Sequence, residues 1–213
     1  MTQPTRVAFD RDLKEIDNKV TQLFALVGEG VGAATDAFLT GDRDGARALV
    51  DNDPLLDSLY HDVERLVQTQ FALQAPVASD MRFLLSVLRI VPELERSGDL
   101  AEHIAQRAAR GLTGELTPRV RGLVEQMGRV GVEMWRMAAD AYGDRDPGAS
   151  ERIHERDDEL DDLHVSLTAE LVSGALTMPV ALEMSLVARF YERLGDHAVN
   201  VAKRVRYMAT GLE

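Results

Sequence analysis

The segment Glu95-Arg96-Ser97-Gly98-Asp99 returns near the other end of the chain as Glu192-Arg193-Leu194-Gly195-Asp196. No other feature constrains the fold as strongly, because a signature carried twice implies two copies of one structural unit. Two further matches occur in the same order in both halves. Gly41-Asp42-Arg43-Asp44-Gly45-Ala46 recurs as Gly143-Asp144-Arg145-Asp146-Pro147-Gly148-Ala149, and Asp53-Pro54-Leu55-Leu56-Asp57 is echoed by Asp157-Asp158-Glu159-Leu160-Asp161. Together they indicate an internal repeat of about a hundred residues.

Each unit reads as helical. Apolar residues recur at three and four spacing almost everywhere, while the aromatic and β-branched alternation of strands is scarce. Breaks fall at Thr40-Gly41-Asp42, around Gln74-Ala75-Pro76, at Gly111-Leu112-Thr113-Gly114, at Gly143-Asp144, and between Ser173 and Pro179, where Gly, Pro and capping residues cluster. They outline six long helices. The expected architecture is all-α: two tandem, pseudo-symmetric three-helix bundles over residues 1–112 and 113–213.

Charge narrows the partners. A formal charge of −12 and a pI near 4.9 exclude general nucleic-acid binding, which needs clustered Lys and Arg, and favour cations or basic protein surfaces. The absence of Cys removes disulfides, thiolate zinc sites and Cys nucleophiles, so any metal must be held by oxygen or imidazole. Met1-Thr2-Gln3-Pro4-Thr5-Arg6 lacks the basic segment and apolar run of a secretory signal, and no stretch approaches the roughly 20 apolar residues of a membrane span. The expectation is a soluble cytoplasmic protein.

The doubled signature places a Glu and an Asp four residues apart, which on a helix stacks both carboxylates on one face. Antiparallel helices joined by a short turn bring together residues equidistant from that turn. Counting back from Pro76 sets Asp53 and Asp57 opposite Glu95 and Asp99, and counting back from Pro179 sets Asp157 and Asp161 opposite Glu192 and Asp196. On the helical wheel Glu95 falls within about 40° of Leu84 and Val91, and Glu102 returns to the middle of the apolar arc, while Arg82, Arg89, Glu93 and Arg96 take the polar arc. Clustered carboxylates in a poorly solvated place need neutralising, and a divalent or trivalent cation does so efficiently. Mg²⁺, Mn²⁺ and iron all accept such oxygen ligands. Gly98 and Gly195 remove side-chain bulk where a facing helix or a metal cluster approaches.

Other readings compete. The acids could pair with Arg96, Arg189 or Arg193 and leave a metal-free helical scaffold. Asp53 precedes Pro54, a combination that starts helices, so capping competes with ligation there. His103 and His197 read as solvated residues outside the site. Glu151-Arg152-Ile153-His154 has the Glu-x-x-His spacing of ferritin-like di-metal oxidases, yet it occurs once and near a loop, where a solvated helix end explains it. Met127, Met134, Met137 and Trp135 read as packing between helices. No phosphate loop, nucleophile elbow or metalloprotease signature is present, so no catalytic residue is assigned.

The doubled Glu-Arg-x-Gly-Asp signature, the Pro76-Val77-Ala78-Ser79-Asp80-Met81-Arg82 run before its first copy and the two-unit repeat resemble the PhoU family across essentially the whole chain. The resemblance implies a cytoplasmic, non-enzymatic negative regulator of phosphate uptake and of the phosphate-starvation response. It implies partners too: the phosphate-specific ABC transporter and a membrane sensor histidine kinase, with membrane association through these alone, and a second copy in a homodimer. Metal ions, sometimes multinuclear iron or zinc clusters, would sit on Glu(Asp)-x-x-x-Asp motifs, which fall here on Glu95 and Asp99 and on Glu192 and Asp196, faced by Asp53, Asp57, Asp157 and Asp161. The second unit has Thr177-Met178-Pro179 where the first has Asp80-Met81-Arg82, so the two sites are not expected to be identical.

Overall fold

The computed structural model describes residues 4–51, 54–74 and 76–212. Among these residues the chain forms α1 (Pro4–Thr40), α2 (Arg43–Asp51), α3 (Pro54–Leu73), α4 (Ala78–Ala109), α5 (Pro118–Asp144), α6 (Ala149–Val172) and α7 (Met178–Thr210), with one 3₁₀ turn at Leu112–Glu115 and no strand. The all-α expectation holds. The six expected helices become seven because the second divides ahead of Pro54. Proline lacks the N–H that an α-helix interior requires and keeps its predecessor out of helical geometry. Asp53, named as a ligand or a cap, lies outside the described residues.

Local chemistry sets the other boundaries. Thr117 starts α5, its hydroxyl accepting from the Val120 N–H at 3.2 Å with Pro118 in the first turn. Gly211 ends α7 at φ 76°, a left-handed conformation that glycine adopts without steric penalty. Pro92 lies inside α4 and removes one backbone donor, yet the helix runs through it between the buried Val91 and Leu94. Packing on both sides outweighs the local preference.

The antiparallel pair α4 and α7 forms the centre of the molecule: Glu93 meets His197 around the middle of both helices, and Arg107 near the C-terminal end of α4 meets Glu183 near the start of α7 at 3.2 Å. Helix α1 packs on α4 and α5 on α7, α1 and α5 also touch each other, α2 and α3 flank α4, and α6 flanks α7. The buried apolar residues form one continuous cluster. Phe24 of α1 joins the halves, its ring 6.3 Å from that of Trp135 and 5.2 Å from that of Tyr142, both on α5. The Trp135 indole N–H is buried without a hydrogen-bond partner, whereas other polar groups of this seam are paired. The Tyr191 hydroxyl lies 2.8 Å from Thr35 Oγ1, and Asp17 accepts from the Tyr142 hydroxyl at 2.8 Å and from Arg145 Nη2 at 2.5 Å. Trp135, Met127 and Met134 are buried, as their helical spacing predicts.

One expectation about hydropathy is corrected. The Arg6–Thr40 part of α1 is long and apolar enough to cross a membrane by length and composition. Its apolar side, including Val20, Phe24, Val31 and Phe38, is buried in the bundle core, and this packing accounts for the hydropathy.

Candidate metal centre

The acidic signatures lie on the flanks of α4 and α7 that face α3 and α6. In the first repeat, Glu95 and Asp99 are half-buried on α4 and Asp57 is exposed on α3. Their proximity registers electrostatically. Burial raises the Asp99 carboxyl above its usual range and the negative charge of Asp57 adds to it, while His103 opposes. Glu95 acts on Tyr60 of α3, whose phenol is raised chiefly by burial and by its bond to Glu64. The two helices approach closely because residue 98 is glycine: a Cβ there would meet Leu56 Cδ1 at 2.6 Å.

The second repeat is tighter. Asp157 on α6 is half-buried, and its carboxyl is pushed up to about 6, first by burial and then by the charges of Asp161 and Asp196. Glu192 is also raised, by burial foremost, with Asp196 and Asp161 adding to the shift and Arg189 countering it. Its Oε2 is buried without a hydrogen-bond partner. Gly195 faces the Asp157 carboxylate, and a Cβ on it would also approach Leu160 Cδ2 to 2.8 Å. Gly195→Ala is therefore expected to lower stability by about 1–2 kcal/mol through overpacking, read as a lower thermal midpoint of chelator-treated protein. An unchanged midpoint would show that α6 moves away freely.

The spacing argument thus brings Asp57 towards Asp99, and Asp157 and Asp161 towards Asp196 and Glu192. The wheel placed the acids too deep. Glu95, Asp99, Glu102 and Glu192 are half-buried, and Asp57, Asp161 and Asp196 are exposed, so the acids border the core rather than enter it. Among the described residues, no three His, Asp or Glu side chains are arranged to hold an ion in this conformation. The donor chemistry nevertheless fits a hard cation, since mutually repelling carboxylates and the orphaned Glu192 Oε2 are what such an ion relieves. Asp57, Glu95 and Asp99 would hold it in the first repeat, and Asp157, Asp161, Glu192 and Asp196 in the second. The rival arginine pairing is seen where Arg189 bonds Glu192. Arg96 pairs instead with Glu93, at 2.7 Å.

Glu93 and His197 are the polar residues that the sequence reading misplaced. Set on the polar arc, the Glu93 side chain is 15% exposed, and its Oε2 accepts from His197 Nδ1. Burial alone would raise the Glu93 carboxyl, but the hydrogen bond and charge of His197, together with Arg96, hold it below its usual range. His197, expected in solvent, is buried. A signal was available: it lies three residues after Leu194 and four before Val201, on the apolar side of α7. His103 is half-buried, with its ring 5.3 Å from that of Phe190 and its Nδ1 unpartnered. Glu151 and His154 are both exposed in the first turns of α6, as a solvated helix end should be.

With this geometry in view, the PhoU domain profile matches residues 20–108 and 124–205, one match over each acidic signature. The chain belongs to the PhoU family. It is 35% identical over 209 residues to the phosphate-specific transport system accessory protein PhoU homolog 2 of Mycobacterium tuberculosis, covering 97% of this chain and 98% of that one. A PhoU homolog of Rhizobium meliloti is 31% identical over 212 residues, covering 97% and 89% respectively. In three dimensions the fold superposes on the crystal structure of PhoU from Pseudomonas aeruginosa with a TM-score of 0.89 at 26% identity, covering 96% of this chain and all of that one. The phosphate transport system regulatory protein PhoU from Streptococcus pneumoniae shares the fold, with a TM-score of 0.87 at 24% identity, covering 96% and 98%.

Proposed function

We propose that this PhoU-family chain is an accessory regulator of phosphate transport. In this reading it is a non-enzymatic negative regulator of phosphate uptake and phosphate-starvation signalling, working in the cytoplasm as a metal-binding helical adaptor. Its partners are the phosphate-specific ABC transporter and a sensor histidine kinase, and it acts as a homodimer. The observation that carries the proposal is whole-length similarity to proteins named as accessory or regulatory components of phosphate transport. The doubled acidic site supports the metal: an ion bridging α3 to α4, or α6 to α7, would fix the relative position of two helices and so the surface they present. The oxidase reading finds no support, because the Glu-x-x-His spacing occurs once in the chain and Glu151 and His154 are exposed in the first turns of α6.

The functional test is co-purification with membranes from phosphate-replete and phosphate-starved cells. The transporter and the kinase are expected to accompany the protein in phosphate-replete cells, and loss of both partners would sink the adaptor role. The metal has its own test. Elemental analysis should find bound Fe, Zn, Mn or Mg, and less of it in the Glu95→Ala/Asp99→Ala double variant. Equal metal content in the two proteins would refute the ligand assignment, and a thermal midpoint indifferent to EDTA would favour the metal-free scaffold.

A further inference from the structure

The α4–α7 seam contains a polar cavity of about 220 Å³, separate from both acidic sites and lined by Arg89 and Glu93 of α4 and Asn200, Lys203 and Arg204 of α7. Three cations around one hollow stand out in a chain of net charge −12. The internal repeat supplies a control. Shifting by the 97 residues that separate Glu95 from Glu192, the counterparts of Arg89, Glu93, Asn200, Lys203 and Arg204 are Leu186, Phe190, His103, Gln106 and Arg107. That second corner is filled and neutralised. Phe190 lies 5.3 Å from the His103 ring and 4.9 Å from the Arg107 guanidinium, and Arg107 pairs with Glu183 at 3.2 Å. In the first corner an apolar plug is replaced by a carboxylate and a leucine by an arginine. Among the described residues, neither Arg89 nor Lys203 has an ion-pair partner.

Glu93 sets the selectivity. Arg96 donates to its Oε1 and His197 to its Oε2, so the carboxylate is fixed in place as an acceptor. Each carboxylate oxygen has two lone pairs, which leaves room for one more donor. An anion that still carries a proton can supply that donor, whereas one without a proton meets only repulsion.

We propose that this cavity binds one protonated tetrahedral oxyanion of the hydrogen-phosphate type, with Arg89 and Lys203 meeting its charge and Glu93 accepting its O–H. Asn200 offers an amide donor at the rim. Sulfate, fully deprotonated at neutral pH, has the same shape but leaves Glu93 facing bare oxygen. This deepens the regulatory reading by placing a phosphate signal on the chain itself. The two stand on separate experiments, since ligand binding reads the cavity and membrane co-purification reads the partners.

The test is calorimetric titration of the full chain, chelator-treated so that bound metal cannot capture the anion, with inorganic phosphate and with sulfate at pH 7.5 and low salt. Phosphate should bind saturably, and sulfate at least about tenfold more weakly. Arg89→Ala with Lys203→Ala, both exposed and without structural partners, should weaken phosphate by about tenfold or more. Glu93→Gln should narrow the preference over sulfate. Undetectable phosphate binding, equal affinity for sulfate, or an unchanged affinity in the double variant would each overturn the proposal. Co-sedimentation with phosphatidylcholine vesicles with and without phosphatidic acid separates the sources: capture by phosphatidic acid alone, with no binding of the free ion, would overturn the free-anion site in favour of a lipid headgroup.

Discussion

Asp157→Asn should act in opposite directions with and without metal. In the metal-free protein the Asp157 carboxyl, pushed up to about 6 by burial and by Asp161 and Asp196, keeps its proton where an unfolded aspartate near 3.9 has lost it. Such a group stabilises the fold fully below about pH 4, and that stabilisation is lost as the pH rises through about 6. At pH 7 the ionised carboxylate is therefore a liability. Water reaching this half-exposed group screens much of the effect, leaving a gain of about 1 kcal/mol for the asparagine. Urea melts of chelator-treated protein should show the gain at pH 7 and its disappearance at pH 4. With metal the sign reverses, because the ion needs the carboxylate, and affinity should fall by about a hundredfold or more, on the scale that perturbing the surroundings of a metal site already reaches. Metal affinity of the unsubstituted chain should climb with pH through about 6. A variant that gains no stability when metal-free would show that these acids do not strain one another.

Glu93→Ala should be among the most destabilising single changes at the centre of the molecule. It leaves His197, with a side chain only 9% exposed, facing an empty space between α4 and α7. Removing one member of a buried pair costs more than the pair contributes, on the order of 3 kcal/mol. Glu93→Gln, which keeps an acceptor, should lose less. The pH dependence separates charge from packing. A carboxyl held below its usual range contributes stability above the unfolded value near 4.3 and loses it as the pH falls towards the folded value. Acid titration of the native chain should therefore show a destabilising limb below about pH 4.5 that Glu93→Gln flattens. An identical acid limb in both proteins would place the pair's contribution in packing alone.

The two pH responses run in opposite directions because of where the acids sit. Asp157 has acidic neighbours on its own helix and on α7, whereas Glu93 has His197 and Arg96. Both are half-buried aspartate or glutamate side chains on long helices, and composition does not distinguish them. The partner across the helix interface decides which carboxylate prefers its proton.

The sequence alone determined the helices, the repeat and the pairing of acids across short turns, because helical periodicity and distance from a turn are properties of chain order. The break at Pro54 was within its reach too, since a residue without an N–H costs a helix interior a hydrogen bond and is favoured in the first turn. Only the tertiary structure decided depth and cross-repeat partners. A wheel gives the direction of a side chain but not how far the neighbouring helix covers it, so Glu95 and Asp99 came out at the border of the core and Glu93, expected in solvent, came out half-buried against His197. Nor does chain order say that α4 and α7 run antiparallel against each other. That contact buries His197 on Glu93, fills one corner with Phe190, and leaves the other open between Arg89 and Lys203.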